Sequence, residues 1–314
     1  MGAPQVSAAE FIEVFQKEGP TGTARVLGIN VRNVQSRRLR LEKKMGGQIS
    51  GPPHQLNTRK AAPHPERIKL RIDNGMVFIG SDSHYWPDIV STSHQGFLYL
   101  ARKFKPKIVI KNGDVLDGAT ISRHPPLGWE NRPKLIDELE TVKERLKEIT
   151  DASIGARHLW PAGNHDARYE TRLATIAPEY AKIHGFHLKD HFPEWEPCWS
   201  VWINDDVVVK HRFKGGIHAP WNNTIYAGRT MVTGHLHSQK VIPFTDSNGT
   251  RWGVDAGTMA DPHGPQFEYL EDNPRNWREG FCILTFRNGV LLQPELVRVH
   301  APNVLDFRGE LINV

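Results

Sequence analysis

Apolar residues recur at helical spacing over the first forty-five positions. Phe11, Val14 and Phe15 mark one face of a first helix that Gly19-Pro20 end. Residues 21–27 make a short second helix, Gly28-Ile29-Asn30 a tight turn, and residues 31–45 a third helix stopped by Gly46-Gly47. The periodicity then lapses. Residues 46–65 carry three glycines and four prolines with almost no apolar residues, the composition of a linker. From about residue 66 the period shortens. β-Branched runs at 76–80, 107–110, 158–161, 207–210 and 230–233 predict strands, and residues 94–104 and 133–149 predict helices between them. Residues 251–298 read as plain strands, with turns at Asn248-Gly249 and Asn288-Gly289 nearby. Strands alternating with helices indicate a layered α/β domain. The expected organisation is a small all-α domain over 1–47, a linker over 48–66 and an α/β domain over 67–314.

Composition adds exclusions. The 314 residues are 39% hydrophobic and 24% charged, too apolar for a disordered chain. No apolar run approaches the ~18 residues of a membrane-spanning helix. Residues 1–10 lack the basic-then-apolar layout of a secretory leader. Cys198 and Cys282 cannot build a disulfide framework, and there is no C-x-x-C pair. A reduced, cytoplasmic location without a membrane partner is the expectation. The net charge of +5 is concentrated at one end: residues 1–65 hold ten Lys/Arg against four Glu. That asymmetry points to a polyanionic partner for the N-terminal piece, the alternative being a merely solvated basic helix.

The candidate chemistry follows the predicted strands. Asp82-Ser83-His84 comes after the first, Gly113-Asp114-Val115-Leu116-Asp117 after the second, and Gly163-Asn164-His165-Asp166 after the third. His211 follows the fourth and Gly234-His235-Leu236-His237 the fifth. Ligand sites of α/β sheets gather outside the carboxyl ends of strands, so all five can converge. Residues i and i+2 of extended chain share a face, which pairs Asp82 with His84 and His235 with His237. Carboxylate, amide and imidazole ligands without thiolate suit Mn²⁺, Fe or Zn²⁺. The glycines before Asp114, Asn164 and His235 are expected to let the chain turn sharply. Seven candidate ligands exceed the need of one ion and suffice for two that share a carboxylate. Any one of these elements alone is common by chance; their order, each just after an apolar run, is what carries the reading.

The ordered pattern D-x-H, GDxxD, GNHD, H, GHxH over residues 75–240 resembles the calcineurin-like metallophosphoesterase superfamily. The resemblance implies a sandwich of two mixed β-sheets flanked by helices, with a dinuclear site at the strand ends. One ion would take Asp82, His84 and His237; the other Asn164, His211 and His235; and Asp114 would bridge them. His218 lies seven residues beyond His211 and is the alternative ligand there. Asp117 would support the site without binding metal. The ions, Mn²⁺ first and Fe, Zn²⁺ or Mg²⁺ as alternatives, would hold a bridging hydroxide for in-line attack on phosphorus. His165 would be the general acid for the leaving group, oriented by Asp166. Arg168 and His124 are candidate substrate contacts, with a plain surface role as the alternative for each.

Ala24, Gly28 and Val34 stand in the A-x3-G-x5-V spacing that resembles a helix-turn-helix over residues 7–45, with Arg37 where such motifs bury an apolar residue. The third helix carries Arg32, Arg37 and Arg40 among its bases for phosphate contact, and Asn33, Gln35 and Ser36 for base edges. The combined expectation is a DNA-directed phosphodiesterase, a nuclease, of a layout resembling phage- and prophage-encoded phosphoesterases. A phosphatase or phosphodiesterase of a nucleotide or other small phosphoester is the enzymatic alternative. A DNA-binding regulator with an inactive phosphoesterase domain is the alternative of another class. The longer signatures of phosphoprotein phosphatases, GDxHG and GDxxDRG, are absent.

Overall fold

Ser7 accepts a hydrogen bond from the Glu10 N–H (3.2 Å) and opens α1 (Ala8–Val26). The computed structural model describes residues 6–49, 51 and 66–314, and the chain divides into two compact units, Met1–Pro63 and His64–Val314. Inside α1, Gly19 leaves helical geometry (φ 68°, ψ −178°) immediately before Pro20, so the helix is two pieces meeting at the predicted break. Asn30 accepts from the Arg32 N–H (2.8 Å) to start α2 (Val31–Met45), and Gly46 in the left-handed region ends it. Phe11, Phe15, Ala24 and Val34 form the core of this unit together with Ile49.

Two findings depart from the sequence pattern here. Ile49, inside the linker expected to begin at 48, is buried, and its N–H donates to the Glu42 carboxylate (2.9 Å). The rest of the expected linker, apart from Gln48, Gly51 and Glu66, lies outside the described residues. Arg37 takes its apolar position by lying 4.8 Å over the Phe11 ring and donating to the Val6 carbonyl. The aliphatic stem covers the core while the guanidinium stays polar.

The second unit runs β1 (Arg67–Leu70), β2 (Gly75–Gly80), α3 (Thr92–Phe104), β3 (Ile108–Lys111), α4 (Leu135–Ala152), β4 (Arg157–Pro161) and α5 (Asp166–Ile176). There follow β5 (Glu196–Cys198), β6 (Ser200–Ile203), β7 (Val207–Val209), α6 (Ala219–Ala227), β8 (Thr230–Thr233), β9 (Lys240–Asp246) and β10 (Gly249–Asp255). The chain ends in β11 (Gly280–Arg287), β12 (Val290–Leu291), β13 (Glu295–Ala301), β14 (Val304–Phe307) and β15 (Glu310–Asn313). Among the described residues these strands form two mixed sheets. One has the order β1-β6-β7-β8-β10-β9; the other runs β15-β14-β13-β11-β2-β3-β4-β5, with β12 on β11.

Alternation along the central strands builds the layers. Val77, Ile79, Ile108, Ile110 and Leu159 meet Val201, Val207, Val209, Val232 and Val254 between the sheets. The intervening Phe78, Val109 and Trp160 face outward onto Phe97 and Leu100 of α3 and Leu139 and Val142 of α4. Strands buried on both faces read as continuous apolar runs, which is why β2, β3 and β8 stand out in the sequence. This is the two-sheet sandwich flanked by helices expected from the sequence. Residues 256–279 depart from the expected plain strands. They form a loop with a short 3₁₀ turn at Pro265–Leu270, and it carries aromatic side chains to the strand ends.

Candidate metal centre

β2, β3 and β4 are mutually parallel, as are β7 and β8, so their carboxyl ends bring the five motifs to one edge of the sandwich. Asp82, His84, Asp114, His235 and His237 all have positive φ, between 37° and 71°. A non-glycine residue held there costs on the order of 1–3 kcal/mol, and such residues cluster at functional sites. The expectation for the neighbouring glycines changes accordingly. Of the three, Gly113 alone has positive φ. A Cβ on Gly163 would meet the Asp114 carboxylate, and one on Gly234 would meet that of Asp82. Those two positions are small because the carboxylates pass against the backbone.

The ligand atoms fall into two neighbouring sets. Asp82, His84 and His237 converge in a buried set, and Asp114, His211 and His235 in another. Asn164 Oδ1 stands 3.3 Å from His211 Nε2 and belongs to the second. Asp114 also converges with His84 and His165, which places it between the sets. His211 is buried and its Nδ1 donates to the Asn112 carbonyl (2.8 Å), leaving Nε2 for the site. His218 is exposed and precedes α6, outside both sets. The first set is closed to solvent, whereas His235 is exposed and opens the second.

The donors fit divalent ions. His84 Nε2 is buried without a hydrogen-bond partner among the described residues, an expensive state for a ring nitrogen unless a ligand answers it. The other nitrogen of His84 pairs with Asp117 Oδ1 (2.8 Å), the carboxylate–imidazole arrangement that orients a metal-binding histidine. His237 Nε2 lies 3.0 Å from Asp82 Oδ1 and His211 Nε2 3.1 Å from Asp114 Oδ2. Two ligands about 2.1 Å from one ion at right angles stand about 3 Å apart, so these spacings suit shared coordination. Without an ion, burial lowers the proton affinity of His211, but Asp114 and Asp82 outweigh it and raise its pKa to about 10. Burial likewise pushes Asp114 up, and the His211 charge reverses this and holds it well below the carboxylate range. A divalent cation held here would take the place of that proton.

Asp166 and Asp117 exchange the parts expected of them around His165. The Asp166 carboxylate turns to the backbone. One oxygen accepts from the N–H groups of Asp114, Gly163 and Trp160 Nε1; the other accepts from Val115 and Leu116. It therefore clasps the loops after β3 and β4. Asp117 is the residue beside His165: Nδ1 donates to its carbonyl (2.9 Å) and lies 3.1 Å from its carboxylate. Asp166 opens α5, and the first turn of a helix sends adjacent side chains in different directions. Burial disfavours charged His165, while the Asp117 hydrogen bond and the Asp114 charge raise its pKa above the ordinary value overall. Arg168 donates to His165 Nε2 (3.0 Å) and to the Asp117 carbonyl (2.8 Å).

Other features give no sequence signal. Trp277 stacks edge-on at 4.3 Å from His237, and Phe267 at 5.2 Å from His84, so the 256–279 loop roofs the buried set. Lys111 is fully buried behind the site, donating to Ser83 and Tyr85. Burial lowers its pKa to about 7. A cleft of about 540 Å³, lined by Trp86, His124, Leu127, His165, Arg168 and Tyr269 among others, leads to the site. His124 is exposed on its wall. In the N-terminal unit Arg32, Asn33, Ser36 and Arg40 are exposed and Gln35 is half-buried, while Arg37 is occupied with Phe11 and the Val6 carbonyl.

No protein-family model and no curated protein matches the sequence. The fold, however, is similar to those of several solved structures. Vps29 from Entamoeba histolytica complexed with zinc is 13% identical over 76% of this chain and 98% of that one, with a TM-score of 0.39. The phosphoesterase YfcE from E. coli is 16% identical over 70% and 97%, with a TM-score of 0.33. A dimetal phosphatase from Danio rerio is 10% identical over 75% and 99%, with a TM-score of 0.34.

Asp166→Asn tests the clasp. It puts an amide donor against N–H groups that are already donors, and should destabilise the metal-free protein by about 2–3 kcal/mol in urea unfolding. Unchanged stability would return Asp166 to a role confined to His165.

Proposed function

We propose that the second unit is a dinuclear-metal phosphoesterase and that its substrates are phosphodiesters, DNA first among them. The observation that carries this reading is the pair of adjoining ligand sets with Asp114 between them. Two divalent ions held there by Asp82, His84 and His237, and by Asn164, His211 and His235, would supply Lewis acidity to a phosphoryl group and a hydrolytic water near neutral pH. The protein's own residues complete the chemistry. His165 keeps one proton on Nδ1 toward Asp117 and offers Nε2 beside the cleft; the second proton, favoured by Asp117 and Asp114, is the one to pass to the leaving oxygen. Arg168, a rigid fork at the same nitrogen, is placed to shift onto a phosphate oxygen as that proton arrives. The roof of Phe267 and Trp277 keeps bulk water from the buried set.

The reading extends to the N-terminal unit. Its three-piece helical core, its excess of positive charge and the exposure of Arg32, Asn33, Ser36 and Arg40 support a DNA-binding role. Localisation by one unit and cleavage by the other joins the two features that distinguish this chain.

Three outcomes test the reading. Metal-stripped protein given Mn²⁺ should cleave labelled DNA and a chromogenic phosphodiester, and Asp114→Asn should reduce both activities at least 100-fold, roughly the ~3 kcal/mol of one preorganised electrostatic interaction. Turnover of small esters without DNA cleavage moves the substrate to a nucleotide or other small phosphoester; no hydrolysis with any divalent metal overturns the reading. His165→Ala should retain its metal content and lose far more rate on a poor leaving group than on p-nitrophenolate, about 100-fold against a few-fold. Equal losses remove its role as acid. Arg32→Glu with Arg40→Glu should weaken DNA binding and flatten its salt dependence by about one unit of slope for each phosphate no longer neutralised, measured by fluorescence anisotropy at several salt concentrations. Unaltered binding would leave that helix face merely solvated.

A further inference from the structure

Two clefts open from the second ligand set, and their chemistry differs. They share Ser122, His124, Asn164 and Arg168. On one side the walls include the apolar and aromatic side chains of Trp86, Pro125, Leu127 and Tyr269, and both signs of charge are present, with Arg132 neutralised by Glu130 at 2.6 Å. On the other side lies a groove of about 560 Å³ whose lining includes Arg123, Arg168, Arg172 and Arg212 and no carboxylate. Asn164 and His235 line it too, so it is continuous with the open half of the metal centre.

The arginines come from three separate segments: the loop after β3, two successive turns of α5, and the residue after His211. Arg168 is engaged with His165 and Asp117. Arg123, Arg172 and Arg212 are exposed and make no ion pair among the described residues. A protein surface ordinarily intersperses both signs of charge. Several guanidinium groups facing one concave space repel each other and focus positive potential there, which an anion relieves. The planar fork of each matches the oxygens of a phosphate.

We propose that the arginine groove binds a second phosphate of the substrate, beside the one at the metal centre, and so selects phosphoesters that carry a further phosphate. This rests on reading the centre as a phosphoesterase. The second phosphate has two sources with the same chemistry: the next link of a nucleic-acid strand, or a neighbouring phosphate of a small nucleoside polyphosphate. In either case the aromatic cleft opposite takes the organic group on the other side of the scissile bond.

The test uses chromogenic esters that differ only in the extra phosphate. With the Mn²⁺-loaded full chain, kcat/KM is compared for thymidine 5′-(p-nitrophenyl phosphate), for the same ester carrying a 3′-phosphate, and for the p-nitrophenyl ester of thymidine triphosphate. A gain of roughly tenfold or more is expected for at least one phosphorylated ester, equivalent to about 1.4 kcal/mol. A gain with the 3′-phosphate identifies the strand as source; a gain with the triphosphate identifies the polyphosphate. Arg123→Glu with Arg172→Glu should bring the ratio close to one, and the paired lysine variants should retain part of it. Both positions are exposed, and circular dichroism checks the fold. Equal rates for all three esters, or a ratio unmoved by charge reversal, would overturn the proposal. Isothermal titration with thymidine 3′,5′-bisphosphate, pyrophosphate and thymidine 5′-monophosphate reads the groove without turnover. At least one two-phosphate ligand should bind tighter than the monophosphate in the wild type and lose that advantage on charge reversal; equal affinities count against the groove. If the chain hydrolyses none of the esters, the phosphoesterase reading fails by itself, and the titration still decides whether the second-phosphate site exists.

Discussion

The arrangement of this site depends on one carboxylate, Asp166, that belongs to neither ligand set. Asp166 gathers five N–H donors from the loop after β3, the loop after β4 and the indole of β4. With them in place, Asp114 sits between the two ligand sets, with its φ of 50° and with one oxygen accepting from the His165 N–H (2.8 Å). The strain at five ligand positions persists because the surrounding hydrogen bonds over-determine it. Asp82 is held in the same manner from the other sheet: its carboxylate accepts from the His235 N–H (2.8 Å), and its carbonyl accepts from Thr258 Oγ1 (2.7 Å). The two sheets are therefore joined twice, by the apolar layer between them and by this polar stitching at their carboxyl ends.

Much of the site is legible in the sequence because ligand chemistry narrows the residue types allowed at a strand end. Asp82, His84, Asp114, Asn164, His235 and His237 each follow a short, largely apolar run, and the fold brings them together. Spacing does not tell His211 from His218, since the loop between them has no regular geometry. Burial separates them: a ring nitrogen held by the Asn112 carbonyl against an exposed ring at a helix entry. The roles of Asp117 and Asp166 run against the sequence order because neighbours along the chain need not be neighbours in space. A hydrogen bond from His165 Nδ1 to a residue 48 positions earlier has no local signal. The roof is silent in the sequence for the same reason, because Phe267 and Trp277 act through His84 and His237, far along the chain.

The N-terminal unit shows how a local departure can be absorbed. An arginine at an apolar helix position would leave a gap over Phe11, yet the Arg37 stem fills it and its head reaches a backbone carbonyl. A unit of this size has little core to spare, and Ile49 supplies part of the remainder from just beyond the expected boundary. The composition of residues 46–65 gives no sign that the preceding core claims the Ile49 side chain.

Charge is distributed by task in the second unit. Behind the site, Lys111 is held among Ser83, Tyr85 and Met259, where burial weakens its hold on a proton. At the site, Asp114 and Asp82 strengthen the hold of His211 on a proton, and His84 Nε2 is buried without a hydrogen-bond partner among the described residues. In front of it, Arg123, Arg172 and Arg212 line one groove without an ion pair among the described residues, while the opposite cleft pairs Arg132 with Glu130. On the proposed reading, a monoester that offers one phosphate and one organic group would use the centre and the cleft of Trp86 and Tyr269 and leave the arginine groove unsatisfied. A strand, or a chain of phosphates, would engage all three. The asymmetry would then be a selective element that metal ligands, common to any phosphoester chemistry, cannot supply.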